Sequence, residues 1–110
     1  HGNGNQKSDD SEALAIAGVF GEKAIPVTAF KWLMGHTLCA SGLLDVVLSV
    51  KALQERTIPA LAPCEQPSSC AQALDLVTAH RELASSQSHA MVLNRGFGGM
   101  DALVLLKACS

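Results

Sequence analysis

The sequence predicts an α/β fold. Stretches with helical apolar spacing alternate with short β-branched or apolar runs. Of the 110 residues, 48% are hydrophobic and only 16% charged, so a modest packed core is expected. The order is helix, strand, helix, a further helical stretch, then a strand pair. Three strands make a thin sheet for such helices, and the chain is expected to be incomplete as an isolated unit.

The opening "HGNGNQKS" is a polar loop. Ser8 or Asp9 is expected to cap the helix that follows. Asp9 and Glu12 have capping-box spacing and put acidic charge where the helix dipole favours it. Leu14, Ala17, Val19 and Phe20 supply its predicted apolar stripe, and Gly21 ends it. Residues 25–30, "IPVTAF", read as a short buried strand. "KWLMGHTLCASG" is a glycine-broken loop running into a helix that ends near Gln54. Leu38, Leu43, Val46, Val47, Val50 and Leu53 give that helix a wide apolar face, expected to be largely buried. Residues 57–70 hold three of the four prolines and form a surface connection. Residues 71–84 have helical propensity. Residues 89–94 and 101–107 read as two strands joined by the glycine-rich turn "RGFGGMD".

Composition excludes several functions. A net charge of −2 provides no basic field, which argues against nucleic acid or an anionic membrane surface as partner. One Trp, three Phe and no Tyr leave no stacking platform for single strands. No apolar run is long enough for a membrane span, and the polar, acidic start is unlike a secretory signal. Cys39, Cys64, Cys70 and Cys109 lack zinc-site spacing, so no metal is expected. Two disulfides are one reading of them, but only Cys64 and Cys70 are close in sequence and Cys39 has a helical apolar setting, so reduced, mostly structural thiols in the cytoplasm are expected.

Three glycine-rich loops stand out: "HGNGN", "KWLMGH" and "GFGG". Singly, each reads as a turn, and a histidine beside a glycine is most often structural. Their combination and order resemble the C-terminal part of the β-ketoacyl synthases, condensing enzymes of fatty-acid and polyketide synthesis with the thiolase fold. The family pattern runs HGTGT, D-x-x-E, FG, K-x-x-x-GHT-x-x-A-x-G and GFGG-T-N. It appears here as His1-Gly2-Asn3-Gly4-Asn5, Asp9 with Glu12, Phe20-Gly21, Lys31 before Gly35-His36-Thr37, Ala40 and Gly42, and Gly96-Phe97-Gly98-Gly99. The resemblance covers essentially the whole chain, which makes residues 1–110 the C-terminal segment of a synthase domain with layered helices on a mixed sheet.

The resemblance implies a decarboxylative Claisen condensation between malonyl-carrier-protein and an acyl-enzyme thioester. His1 and His36 match the histidines whose Nε–H groups stabilise the enolate as carbon dioxide leaves. The Phe97 backbone N–H matches the oxyanion-hole donor, and its side chain the gate for the acyl chain. Lys31 and Glu12 match a lysine–glutamate pair behind the histidines; an ordinary salt bridge tying the loop to the first helix is the compatible structural reading. Asn3 and Asn5 stand where the family holds the phosphopantetheine arm with threonines. No cofactor is expected to be resident, because substrates arrive on the arm of acyl carrier protein. A homodimer or a heterodimer with a related subunit is implied.

The pattern also breaks. Met100 and Asp101 replace the final Thr-Asn, and Arg95, where the family usually has an aromatic, is a candidate partner for Asp101. None of the cysteines lies at a strand-to-helix elbow of the kind that exposes a reactive thiol. Cys39 reads as a packing position. The resemblance implies that the nucleophile lies in an N-terminal half outside this sequence, so the 110 residues alone are expected to be inactive. In the thiolase fold's strand order, 3-2-1-4-5, residues 25–30 map to the third strand and the last two strands to the fourth and fifth. Unpaired backbone and exposed apolar faces are then expected where the first and second would lie. The alternative to a catalytic segment is part of a silent, chain-length-factor-like partner subunit. A third reading is a small α/β interaction domain whose glycine loops are only turns.

Overall fold

A computed structural model describes residues 1–61, 64 and 66–109. Helix α1 spans Gln6–Phe20. Its N-cap is Asn5, whose side-chain oxygen accepts the Ser8 N–H at 3.2 Å, rather than Ser8 or Asp9. Asp9 and Glu12 are drawn away from capping because both carboxylates bind the loop before the helix. Gly21 ends α1 with φ 91, a conformation open to glycine.

The strand expected over 25–30 shrinks to β1, Pro26–Val27. A short helix α2, Lys31–Met34, ends at Gly35 (φ 73), and a single 3-10 turn at Leu38–Ala40 leads into α3, Ser41–Gln54. The end of α3 falls where the sequence places it. Three short strands follow, β2 (Thr57–Ile58), β3 (Asp75–Leu76) and β4 (Arg81–Glu82), then the long hairpin β5 (His89–Arg95) and β6 (Asp101–Lys107). The helical expectation for 71–84 is overturned, since only Ala71–Ala73 forms a 3-10 turn. Two short edges compete for the rest: β3 pairs parallel with β1, and β4 antiparallel with β2. Backbone partners on neighbouring strands outweigh local propensity there. The proline-rich connection lies partly outside the described residues.

Among the described residues both strand directions are present, in three two-stranded ladders. The hairpin β5–β6 is fully registered, from His89 opposite Lys107 to Arg95 opposite Asp101. Among the described residues, β1 pairs with β3, a strand that the sequence-based mapping did not include.

Two small cores hold these pieces. Leu53, Ile58, Val77 and Leu83 form one, and Ala13, Ile16 and Leu74 the other. The predicted stripe of α1 is displaced: Ala13 and Ile16 are buried, while Leu14 and Val19 are exposed. On α3 the buried line runs through Ser41, Asp45 and Leu53, and the apolar Leu43, Val47 and Val50 face outward. Strand β6 exposes Leu103, Val104 and Leu105, apolar residues pointing to both faces. The exposed apolar surface expected of an open sheet is therefore present. Among the described residues, no helix is long and apolar enough to cross a membrane.

Candidate active site

The first four residues are held by two carboxylates one helical turn apart on α1. Glu12 accepts from the terminal ammonium of His1 (2.5 Å) and from the Gly2 backbone N–H (3.1 Å). Asp9 accepts from those of Asn3 (3.2 Å) and Gly4 (3.1 Å). Burial pushes the Asp9 carboxyl above its usual range, and the nearby Glu12 charge pushes the same way, against the two N–H donors. Gly2 has φ +46, and a Cβ there would meet the Ala29 Cβ at 2.7 Å, so the loop lies flush on the chain after β1.

This anchoring brings His1 against His36, with ring centroids 5.3 Å apart and planes at 81°. The two histidines, separated along the chain by α1, β1 and α2, thus meet edge to face. The Leu38 N–H donates to His36 Nδ1 at 3.2 Å, which leaves the His36 proton on Nε2. Leu38 takes φ 52 to do so, a left-handed conformation that costs a non-glycine residue about 1 kcal/mol. The Arg95 N–H lies 3.4 Å from His1 Nδ1 and the Asn94 side-chain oxygen lies at the same distance, so a donor and an acceptor both face that nitrogen.

Lys31 and Glu12 do not pair. Lys31 is buried and its ammonium meets Asp45 of α3 at 2.6 Å, because Glu12 is already engaged by the loop backbone. Asp45 also accepts from the Asn94 side-chain amide at 3.2 Å, and the Asn94 oxygen lies 3.4 Å from His1 Nδ1. Asp45 and Asn94 are the members of the site that sequence reasoning missed. One signal was available for Asp45: it is the lone carboxylate of α3, set among Leu43, Leu44, Val46 and Val47.

Phe97 opens the 3-10 turn Phe97–Gly99 between β5 and β6, two residues beyond the Arg95 N–H on His1. Its side chain is 94% exposed. The Asn3 oxygen accepts the Asn5 N–H at 3.0 Å, and the Asn5 oxygen is the helix cap, so both carbonyls serve local structure. Arg95 reaches Asp101 at 3.4 Å, as expected, and also donates to the Ser8 carbonyl at 3.1 Å. Cys39 is exposed, contrary to the packing role expected for it, and Cys64 and Cys70 are half-buried free thiols. A cavity of about 1040 Å³ opens beside the loop, with His1, Asn3, Phe20, Lys31 and Trp32 in its wall. Among the described residues, no cluster of His, Cys, Asp and Glu could hold a metal ion.

Residues 1–65 match the family model described as beta-ketoacyl synthase, C-terminal domain. The chain is 35% identical over 117 residues to the highly reducing polyketide synthase sor1 of Hypocrea jecorina, covering 97% of this chain and 4% of that protein. It is 33% identical over 109 residues to the putative polyketide beta-ketoacyl synthase 1 of Streptomyces halstedii, covering 96% of this chain and 25% of that one. With the granaticin polyketide putative beta-ketoacyl synthase 2 of Streptomyces violaceoruber it shares 36% over 105 residues, 96% of this chain and 25% of the other. The chain thus spans a quarter or less of the length of these relatives.

Proposed function

The chain belongs to the β-ketoacyl synthase family, as a C-terminal segment of its thiolase-like fold, and from that premise we propose that it supplies the decarboxylating half of a condensing site in polyketide synthesis. The observation that carries this reading is the facing pair His1 and His36, each with a backbone N–H aimed at Nδ1. At His36 this holds the proton on Nε2, and at His1 the Arg95 contact admits the same form, so both Nε2 atoms can donate.

Malonyl thioester, delivered on the phosphopantetheine arm of acyl carrier protein, places its thioester oxygen against the two Nε2–H groups. The bond to the carboxylate breaks, carbon dioxide leaves, and the electron pair moves onto the enolate oxygen, where fixed donors are worth most. The enolate carbon then attacks the carbonyl of an acyl-cysteine thioester. The Phe97 N–H stabilises that oxyanion, and the cysteine thiolate departs as the tetrahedral intermediate collapses. Lys31 acts behind the site through Asp45, while Glu12 and Asp9 fix the loop. Asn3 and Asn5 offer their exposed side-chain NH₂ groups to the arm. No resident cofactor or metal is required, and the reading places the protein in the cytoplasm, in a dimer with itself or a related subunit. None of the four cysteines is set as a nucleophile, so the 110 residues alone are inactive in this reading.

The paired histidines favour a working site over a silent chain-length-factor-like partner. His1→Ala and His36→Ala in the full-length protein are expected to lower malonyl-thioester decarboxylation by about 10²-fold or more each. Decarboxylation left unchanged in both variants would refute the proposal and leave the glycine loops as turns.

A further inference from the structure

The contacts at the two Nδ1 atoms differ. At His36 the contact found is the Leu38 N–H, which can only donate. If His36 took up a second proton, N–H would point at N–H. At His1 the Arg95 N–H is joined by the Asn94 side-chain oxygen, both at 3.4 Å. That oxygen can accept. The Asn94 amide is not free to turn around, because its NH₂ donates to the Asp45 carboxylate at 3.2 Å and that oxygen also holds the buried Lys31 ammonium. Gly42 of α3 lies against the same amide, with room for a Cβ only at 3.4 Å from Asn94 Cγ.

We propose that Asn94 is a positioning residue that gives His1 an acceptor for a second proton at Nδ1, so that His1 is built to take up a proton and His36 to stay a neutral donor. The proposal rests on the condensing-site reading for its chemistry but not for its geometry. The two histidines would divide the work: His36 donates from Nε2 throughout, and His1, having taken a proton from solvent water at Nδ1, donates from Nε2 as an imidazolium while the enolate forms. Around His1 the charged and titratable groups are Glu12 from α1, His36 from the loop, Arg95 from β5, and the Lys31–Asp45 pair behind Asn94. Only Asn94 links that pair to the His1 ring among the hydrogen bonds found there.

Diethyl pyrocarbonate acylates neutral imidazole, so its rate against pH, read residue by residue by mass spectrometry on the full-length protein, reports where each histidine protonates. Asn94→Leu removes the acceptor, and the pH of half-modification of His1 is expected to fall by about one unit while that of His36 stays put. Asn94→Asp keeps an acceptor and adds charge, and is expected to raise it. Decarboxylation by Asn94→Leu is expected to lose about tenfold or more in kcat with KM within about twofold. A His1 profile unmoved by either variant would overturn the proposal, as would equal shifts at His1 and His36. Should the His1 profile shift while decarboxylation is unaffected in these variants and in His1→Ala, the positioning role stands and the condensing-site reading falls.

Discussion

Removing Asp45 tests the interior of the site more severely than any surface change. Lys31 and Asp45 meet at 2.6 Å with side-chain exposures of 3% and 9%. At that separation and an effective dielectric constant of about 20, their attraction is roughly 6 kcal/mol. Most of it offsets the cost of taking both charges out of water. Asp45→Ala leaves the attraction gone and the ammonium still buried, which costs about 3 kcal/mol. That corresponds to about a hundredfold faster local opening. Hydrogen–deuterium exchange of peptides spanning α2 and α3, measured in the full-length protein, reads this directly. The double change Lys31→Met with Asp45→Leu removes both charges and fills the space, and is expected to restore protection to within about tenfold of the wild type. An Asp45→Ala variant exchanging less than about threefold faster would show that water reaches the pair. A double variant as labile as the single one would show that the pair itself, and not the orphaned charge, holds the elements together.

Two further outcomes follow from the loop. Gly2→Ala forces a Cβ onto Ala29 at a positive φ and is expected to cost about 1–3 kcal/mol, seen as lost exchange protection over residues 1–12 and lost decarboxylation. Asp9 is raised above its usual range chiefly by burial, so the folded state holds the proton more tightly than the unfolded one. Its contribution to stability therefore grows as pH falls through the raised folded-state value towards the ordinary carboxylate range, and shrinks as pH rises. Protection of the loop, corrected for intrinsic exchange, should show that slope in the wild type and lose it in Asp9→Asn. The opposite slope would mean that the Asn3 and Gly4 N–H donors outweigh burial.

The parts of the fold that a single segment dictates were legible in the sequence. The end of α3 near Gln54 and the registered hairpin from His89 to Lys107 follow from local periodicity and a glycine turn. So did the meeting of His1 with His36, although from motif order and not from any local rule. What escaped depends on partners far along the chain. Residues 71–84 have helix-forming composition, but β1 and β2 present edges that β3 and β4 complete. Lys31 matched Glu12 by family pattern, whereas Glu12 is occupied by the His1 and Gly2 nitrogens and Asp45 is the carboxylate within reach. The inverted burial of α3 has the same root: the helix turns its polar line, Ser41 and Asp45, towards the site, leaving Leu43 and Val47 outside.

Asp9 and Glu12 grip the opening loop by main-chain nitrogen alone, from His1 through Gly4. Such a grip is indifferent to which side chain stands at position 3, and every residue except proline offers the same donor. Variation there can retune what touches a bound thioester without moving the histidine two residues away. The asparagines of "HGNGN" are then changes of vocabulary within a fixed grammar, and a loop anchored in this way is a natural place for a family to diversify its substrates while keeping its chemistry.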